Sequence, residues 1–208
     1  MKEFDANTYK DLKGDFNDAD ETLLVTLLYK AQPSRMLDIG CGDGKLTKRV
    51  AAEFPEAAIT AIDNSADQIA LAAAQPSDIV FKCASITDYA PDQKFDTIFS
   101  FYAFPHMPKS LLPAALSSAK QLLEDGGVFY LFTNICLFDT SIASPEDQEA
   151  CDIVFLNDWH EQINLVSLEE MKRLILSAGF RVERDEQRQT GAKIKEYGNM
   201  ISWLFILR

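Results

Sequence analysis

The segment Met36-Leu37-Asp38-Ile39-Gly40-Cys41-Gly42-Asp43-Gly44 limits what this chain can fold into more than any other. A short apolar run stops at Gly40, and glycine recurs at Gly42 and Gly44. Leu46, Val50 and Phe54 then repeat every fourth residue, which places one apolar face on a helix that ends before Pro55. Strand, glycine loop and helix in immediate succession form a βα unit. Its glycines let the backbone turn tightly and let a ligand approach main-chain N–H groups with no Cβ in the way.

The same alternation continues to the end of the chain. Residues 58–62 are a second apolar strand ending at Asp63. Ser65 with Gln68 three residues on is a capping-box pattern, opening an alanine-rich helix to about residue 74. Residues 79–81 and 95–101 read as strands three and four. A helical stripe from Leu111 to Leu123 is halted by Asp125-Gly126-Gly127, and residues 128–132 are strand five. Ser167 and Glu170 open a further helix carrying Leu168, Met171, Leu174, Ile175 and Ala178. Residues 180–185 and 200–207 are the last two strands. With only a charged connection between them and no helical stripe, they should pair antiparallel. The strands are apolar throughout rather than alternating, as expected when helices cover both faces of a sheet. The expected fold is α/β: a doubly wound, mostly parallel seven-stranded sheet with an antiparallel last strand.

No repeat or linker divides the 208 residues, so 1–208 reads as one domain. Two segments stand outside the pattern. Residues 1–33 are expected to form an N-terminal helical cap, with Phe4, Tyr9 and Phe16 before a helix at about residues 20–29. Residues 134–166 are too long for an ordinary connection and are a candidate lid, carrying Phe138, Phe155, Leu156 and Trp159.

Composition narrows the function. Four scattered cysteines and two histidines make no zinc-type cluster, so no metal site is expected, and free thiols suit a cytoplasmic setting. The polar start and the lack of a long apolar run give neither a secretory signal nor a membrane span. A formal net charge of −12 repels a polyanion, so no nucleic-acid partner is expected. Oligomeric state is not legible.

Three meanings fit the glycine loop: a plain tight turn, a dinucleotide site or an S-adenosylmethionine site. A nicotinamide-binding loop wants G-x-G-x-x-G, but here the spacing is G-x-G-x-G and Lys45 stands where the third glycine would fall. Asp38 beside the loop would repel a pyrophosphate, whereas a ligand carrying a sulfonium and an ammonium tolerates acids. Asp63, at the end of strand two, suits a carboxylate accepting the hydroxyls of a ribose.

Residues 37–44 resemble the first motif of the class I methyltransferases, and the resemblance continues over roughly residues 34–208. Asp63 matches the ribose-binding acid of that family. Residues 95–100 resemble its fourth-strand motif, residues 123–128 its turn into strand five, and Ala178-Gly179-Phe180 its entry to strand six. The resemblance implies a Rossmann-like methyltransferase fold with S-adenosyl-L-methionine as cofactor. Asp38, Gly40, Cys41, Gly42, Gly44, Asp63, Asn64, Ser65, Cys83, Ala84, Ser85, Ser100 and Phe101 would then surround the cofactor. Two departures matter. Cys83-Ala84-Ser85 stands where many members carry an acid near the adenine. Ser100-Phe101-Tyr102-Ala103 replaces the Asn-Pro-Pro-Tyr type of motif, which argues against a base or glutamine amide as acceptor.

Ligands of such sheets bind beyond the carboxyl ends of the strands, which places Tyr102, Phe104 and His106 nearest the reacting methyl. His106 is the candidate general base there, Tyr102 a candidate orienting hydrogen-bond donor, and His160 a weaker candidate base. The expected activity is methyl transfer to the O, N or C atom of a small organic acceptor. The alternatives are a non-catalytic S-adenosylmethionine-binding protein, an RNA methyltransferase and an NAD(P) oxidoreductase.

Overall fold

Strands without polar alternation need cover on both faces, and the helices supply it. The computed structural model describes residues 18–137, 154–156, 161–163, 166–194 and 198–208. In chain order these form α1 (Asp18–Ala31), β1 (Arg35–Ile39), α2 (Lys45–Glu53), β2 (Ala58–Asp63), α3 (Ala66–Ala72), β3 (Val80–Cys83) and β4 (Phe95–Phe101). Two 3₁₀ turns, Phe104–His106 and Lys109–Leu111, lead into α4 (Leu112–Leu122) and β5 (Leu123–Leu137). Then come β6 (Val154–Leu156), β7 (Glu161–Ile163), α5 (Leu168–Ser177), β8 (Val182–Ile194) and β9 (Gly198–Leu207).

Seven strands form one sheet in the order β3-β2-β1-β4-β5-β9-β8, while β6 and β7 pair separately. β1 to β5 run parallel, and β9 is antiparallel to both β5 and β8. This is the doubly wound sheet the sequence pattern implies. The chain winds outward from β1 to β3, then restarts at β4 on the other side of β1. That reversal opens a crevice at the carboxyl ends of β1 and β4.

Successive side chains of each strand feed opposite cores. Leu37, Ile98, Phe129 and Leu131 pack with Ala115, Leu116 and Ala119 of α4 and with Met171 and Ile175 of α5. Met36, Phe99, Tyr130 and Phe132 pack with Leu24, Leu27 and Leu28 of α1 and with Leu46 and Val50 of α2. The helix expected near residues 20–29 is therefore a full member of one helical layer. Asp20 and Glu21 in its first turn complement the helix dipole, and so does Lys30 in its last.

Three strands exceed their expected lengths. β5 runs 15 residues, from Leu123 to Leu137. Residues 124–127 loop out of its ladder between the pairs Phe95–Leu123 and Thr97–Val128, so the expected Asp125-Gly126-Gly127 turn is a bulge inside a strand. The charged stretch after Asp185, expected as a connection, is mostly strand, because β8 reaches Ile194 and β9 begins at Gly198. Backbone pairing satisfies N–H and C=O groups whatever the side chains are, so polar residues did not reveal it. Residues 134–137 of the expected lid belong to β5, and residues 154–156 and 161–163 form the β6–β7 pair. Phe138, Trp159, His160, Phe4, Tyr9 and Phe16 lie outside the described residues. Among the described residues, no helix is long and apolar enough to cross a membrane.

Candidate active site

β1 ends where its last carbonyls meet β2, and the loop that follows is shaped by three glycines with left-handed φ: +77° at Gly40, +54° at Gly42 and +73° at Gly44. The N–H groups of Gly40 and Cys41 both donate to the Ile62 carbonyl, at 2.8 and 3.1 Å, which turns the chain back over β2. A Cβ on Gly40 would stand 2.1 Å from the Cβ of Ala103, so the loop after β4 rests directly on the glycine loop. A Cβ on Gly44 would stand 2.9 Å from the Ala72 Cβ and 3.0 Å from the Phe81 ring. Gly44 thus provides the close packing of α2 that the Rossmann fingerprint assigns one position later, where Lys45 stands exposed here. Gly42 differs from both. Only Gln68 Oε1, at 3.9 Å, comes near a Cβ built there, which leaves open space above the middle of the loop.

Asp63 ties the loop to the second strand. Its Oδ2 accepts the Gly42 N–H and its Oδ1 the Ser65 N–H, each at 2.9 Å. This modifies the capping box read from the sequence. Ser65 Oγ does accept the Gln68 N–H, but Asp63 has taken the Ser65 N–H that the Gln68 side chain would reach in the full motif. The Gln68 side chain instead turns toward Gly42, with only 8% of its surface exposed. Sequence reading assigned it a capping role only, and its position four residues after Asn64 carried no further signal.

The parallel pairing of β2 and β3 sets Asp63 opposite Cys83, and the Ala84 N–H donates to the Asp63 carbonyl at 2.9 Å. Asp63, Asn64 and Ser65 therefore stand beside Cys83, Ala84 and Ser85. Asn64 and Cys83 are exposed, and the Cys83 thiol faces the Asn64 carbonyl at 3.7 Å. Ser85 Oγ accepts the Thr87 N–H and caps a local turn.

Other candidates have structural partners. Asp38 is 2% exposed, and its Oδ2 accepts the Thr47 hydroxyl of α2 at 2.6 Å. The Cys41 thiol is pushed up, first by burial and then by the charges of Asp38 and Asp63. A thiol raised in this way stays protonated and is a packing group rather than a nucleophile. Ser100, expected at the cofactor, is fully buried and donates its hydroxyl to the Ile39 carbonyl at 2.9 Å. Its side chain pins β4 to β1. Phe101 packs against Tyr102 and Phe132, with ring centroids 4.9 and 5.0 Å apart.

Tyr102 is held in the left-handed region, φ +58°. Its hydroxyl donates to Asp20 Oδ2 at 2.5 Å, and burial, then this bond, raise its pKa well above the ordinary phenol value. A phenol has one proton, which here goes to Asp20, and the Ser202 side chain also hydrogen-bonds the Tyr102 hydroxyl. Asp20 and its second partner, Arg188, were not anticipated. The signal was absent because they lie 82 and 168 residues from their partners in sequence. His106 ends the 3₁₀ turn beyond Tyr102, and β7 of the candidate lid runs alongside that turn. Among the described residues, no group of His, Cys, Asp or Glu is arranged to hold a metal ion.

A doubly wound sheet with a glycine loop after β1, an acid closing it from β2 and an antiparallel β9 is the Rossmann-like methyltransferase fold. Comparison with known proteins agrees. Residues 36–127 match the methyltransferase domain family. A trans-aconitate 2-methyltransferase of Rhodopseudomonas palustris (strain BisB18) is 26% identical over 163 residues, which is 78% of this chain and 60% of that protein. An S-adenosylmethionine-dependent methyltransferase structure from Clostridium acetobutylicum superposes with a TM-score of 0.68 at 15% identity, over 96% of this chain and 97% of that one. The Burkholderia thailandensis 1,6-didemethyltoxoflavin-N1-methyltransferase, solved with S-adenosylhomocysteine, gives 0.64 at 16% identity, over 96% and 84%. The family match covers under half of the chain, and the chain spans 60% or less of the length of the trans-aconitate 2-methyltransferase relatives it matches.

Proposed function

We propose that this chain transfers a methyl group from S-adenosylmethionine to a small organic acceptor. The observation that carries the proposal is the space over Gly42, framed by Asp63 and Gln68, where a Cβ would otherwise close the approach to the backbone. The residues present fit the cofactor. Each Asp63 oxygen accepts one backbone N–H and keeps a lone pair for a ribose hydroxyl. The exposed Asn64 and Cys83 leave the edges of β2 and β3 accessible to an adenine. The carboxylates Asp38, Asp43 and Asp63 suit a ligand bearing cationic groups. When bound, the cofactor supplies a methyl group on a positively charged sulfur, activated for in-line displacement.

The chain's own part is to align the acceptor and exclude water. His106, on the turn beside β7, is the residue we assign to receive a proton when the acceptor is a hydroxyl or an acidic carbon. A carboxylate acceptor would need no base. The trans-aconitate 2-methyltransferase relatives make a small carboxylic acid the first class to test. Free thiols at Cys41 and Cys83 support a cytoplasmic setting.

Titration calorimetry with S-adenosylhomocysteine should give a Kd in the micromolar range, about −8 kcal/mol. Incubation with methyl-labelled cofactor and metabolite extracts, read by mass spectrometry, should then yield a labelled product. Binding without any labelled product would favour a non-catalytic cofactor-binding role. No binding would refute the proposal.

A further inference from the structure

We propose that Asp20 is a positioning residue of this site: by gripping Tyr102 and Arg188 it holds the loop after β4 against the glycine loop. This rests on the cofactor reading above, and it assigns a role to a residue on α1, outside both loops.

Asp20 is a carboxylate with 2% of its surface exposed, and such a group is stable only when it is paired. Both oxygens are engaged. Oδ2 accepts the Tyr102 hydroxyl at 2.5 Å, and Oδ1 accepts the Arg188 Nε–H at 2.9 Å. Arg188 in turn reaches Glu186 Oε1 at 2.9 Å along β8. One acid thus joins α1, the loop after β4 and the long β8–β9 hairpin.

Tyr102 is the strained member of the set. Its φ of +58° is a conformation bulky residues rarely adopt, so contacts must hold it there. Its N–H donates to the Phe132 carbonyl at 2.9 Å, its ring packs on Phe101 and Phe132, Ser202 hydrogen-bonds its hydroxyl, and that hydroxyl's proton is gripped by the Asp20 carboxylate. The consequence falls on the next residue. Ala103 presses on Gly40 so closely that no Cβ would fit between them. A relaxed Tyr102 would move Ala103, and the glycine loop would lose the surface against which it is set.

The test is calorimetry with S-adenosylhomocysteine on the whole chain and on Tyr102→Phe, Asp20→Ala, Asp20→Asn and the Asp20→Ala/Tyr102→Phe double variant, each with a melting curve. Leu28→Ala on the same helix reports the effect of destabilisation alone. Tyr102→Phe and Asp20→Ala should each weaken binding about fivefold to tenfold. The double variant should be no weaker than Asp20→Ala, because both act through one contact. Asp20→Asn, which still accepts the Tyr102 hydroxyl, should recover part of the loss. Leu28→Ala should melt earlier yet bind within about twofold of the parent. Affinities within twofold of the parent in Tyr102→Phe and Asp20→Ala would overturn the proposal, and so would additive losses in the double variant. If Asp20→Ala does not fold, Tyr102→Phe, which keeps the ring, carries the test. Should the parent chain not bind this ligand, the cofactor reading fails. Amide exchange in residues 100–106 of the unliganded protein then decides separately. An increase of about tenfold in Tyr102→Phe supports the grip, and unchanged exchange overturns it.

Discussion

Replacing Asp63 with alanine should damage the protein twice. The carboxylate accepts two backbone N–H groups, from Gly42 and Ser65, each at 2.9 Å. Hydrogen bonds to a charged group contribute about 1.5 kcal/mol or more each, which makes ~3 kcal/mol for the pair. Asp63 is only partly buried, so water recovers some of this, and a stability loss of about 2 kcal/mol is expected. For a chain of this size that corresponds to a fall in Tm of roughly 4–8 °C. In the proposed complex the same residue gives a charge-assisted bond to the ribose, so S-adenosylhomocysteine affinity should fall by a further ~2 kcal/mol, about thirtyfold. Asp63→Asn should rescue poorly, because an amide presents one accepting oxygen where two N–H groups need partners. Melting curves and calorimetry on the same preparations separate the two effects. A lower Tm with unchanged affinity would show that Asp63 only braces the loop. Unchanged Tm and unchanged affinity together would refute the reasoning altogether.

Three further outcomes follow from the geometry. Gly40→Ala forces a Cβ into Ala103 and should reduce the yield of folded protein, whereas Gly42→Ala should fold, at a cost of about 1 kcal/mol for its left-handed φ, and lose cofactor affinity. Circular dichroism and calorimetry distinguish the pair, and equal behaviour of the two variants would contradict the assignment of the open space. Cys41 has a raised thiol pKa and needs higher pH than usual to form thiolate, so iodoacetamide at mildly alkaline pH should label the exposed Cys83 before Cys41, as peptide mass mapping would show. Faster labelling at Cys41 would contradict the shift. Finally, His106→Ala should lower kcat by about a hundredfold or more with a hydroxyl acceptor and leave cofactor affinity within two- or threefold. Full turnover in that variant would mean that alignment alone carries the reaction.

What the sequence by itself determined is what short-range periodicity encodes. The apolar runs of β1, β2 and β4, the four-residue stripe of α2 and the spacing of Gly40, Gly42 and Gly44 each involve residues within a turn or a strand of one another. From them a doubly wound, mostly parallel sheet and the placing of Asp63 near the glycine loop could be read before any contact was known, while the strand order came from the tertiary structure. Only the tertiary structure decided which polar groups are available for chemistry. Ser100 and Tyr102 sit where a ligand-facing residue belongs by topology, yet one hydroxyl is bound to the Ile39 carbonyl and the other to Asp20. Likewise, the extra length of β5, β8 and β9 follows from backbone pairing between strands that are distant in the chain, to which side-chain pattern contributes little. Partners 61, 82 and 168 residues apart are brought together by how the whole chain winds, and no local sequence pattern records that.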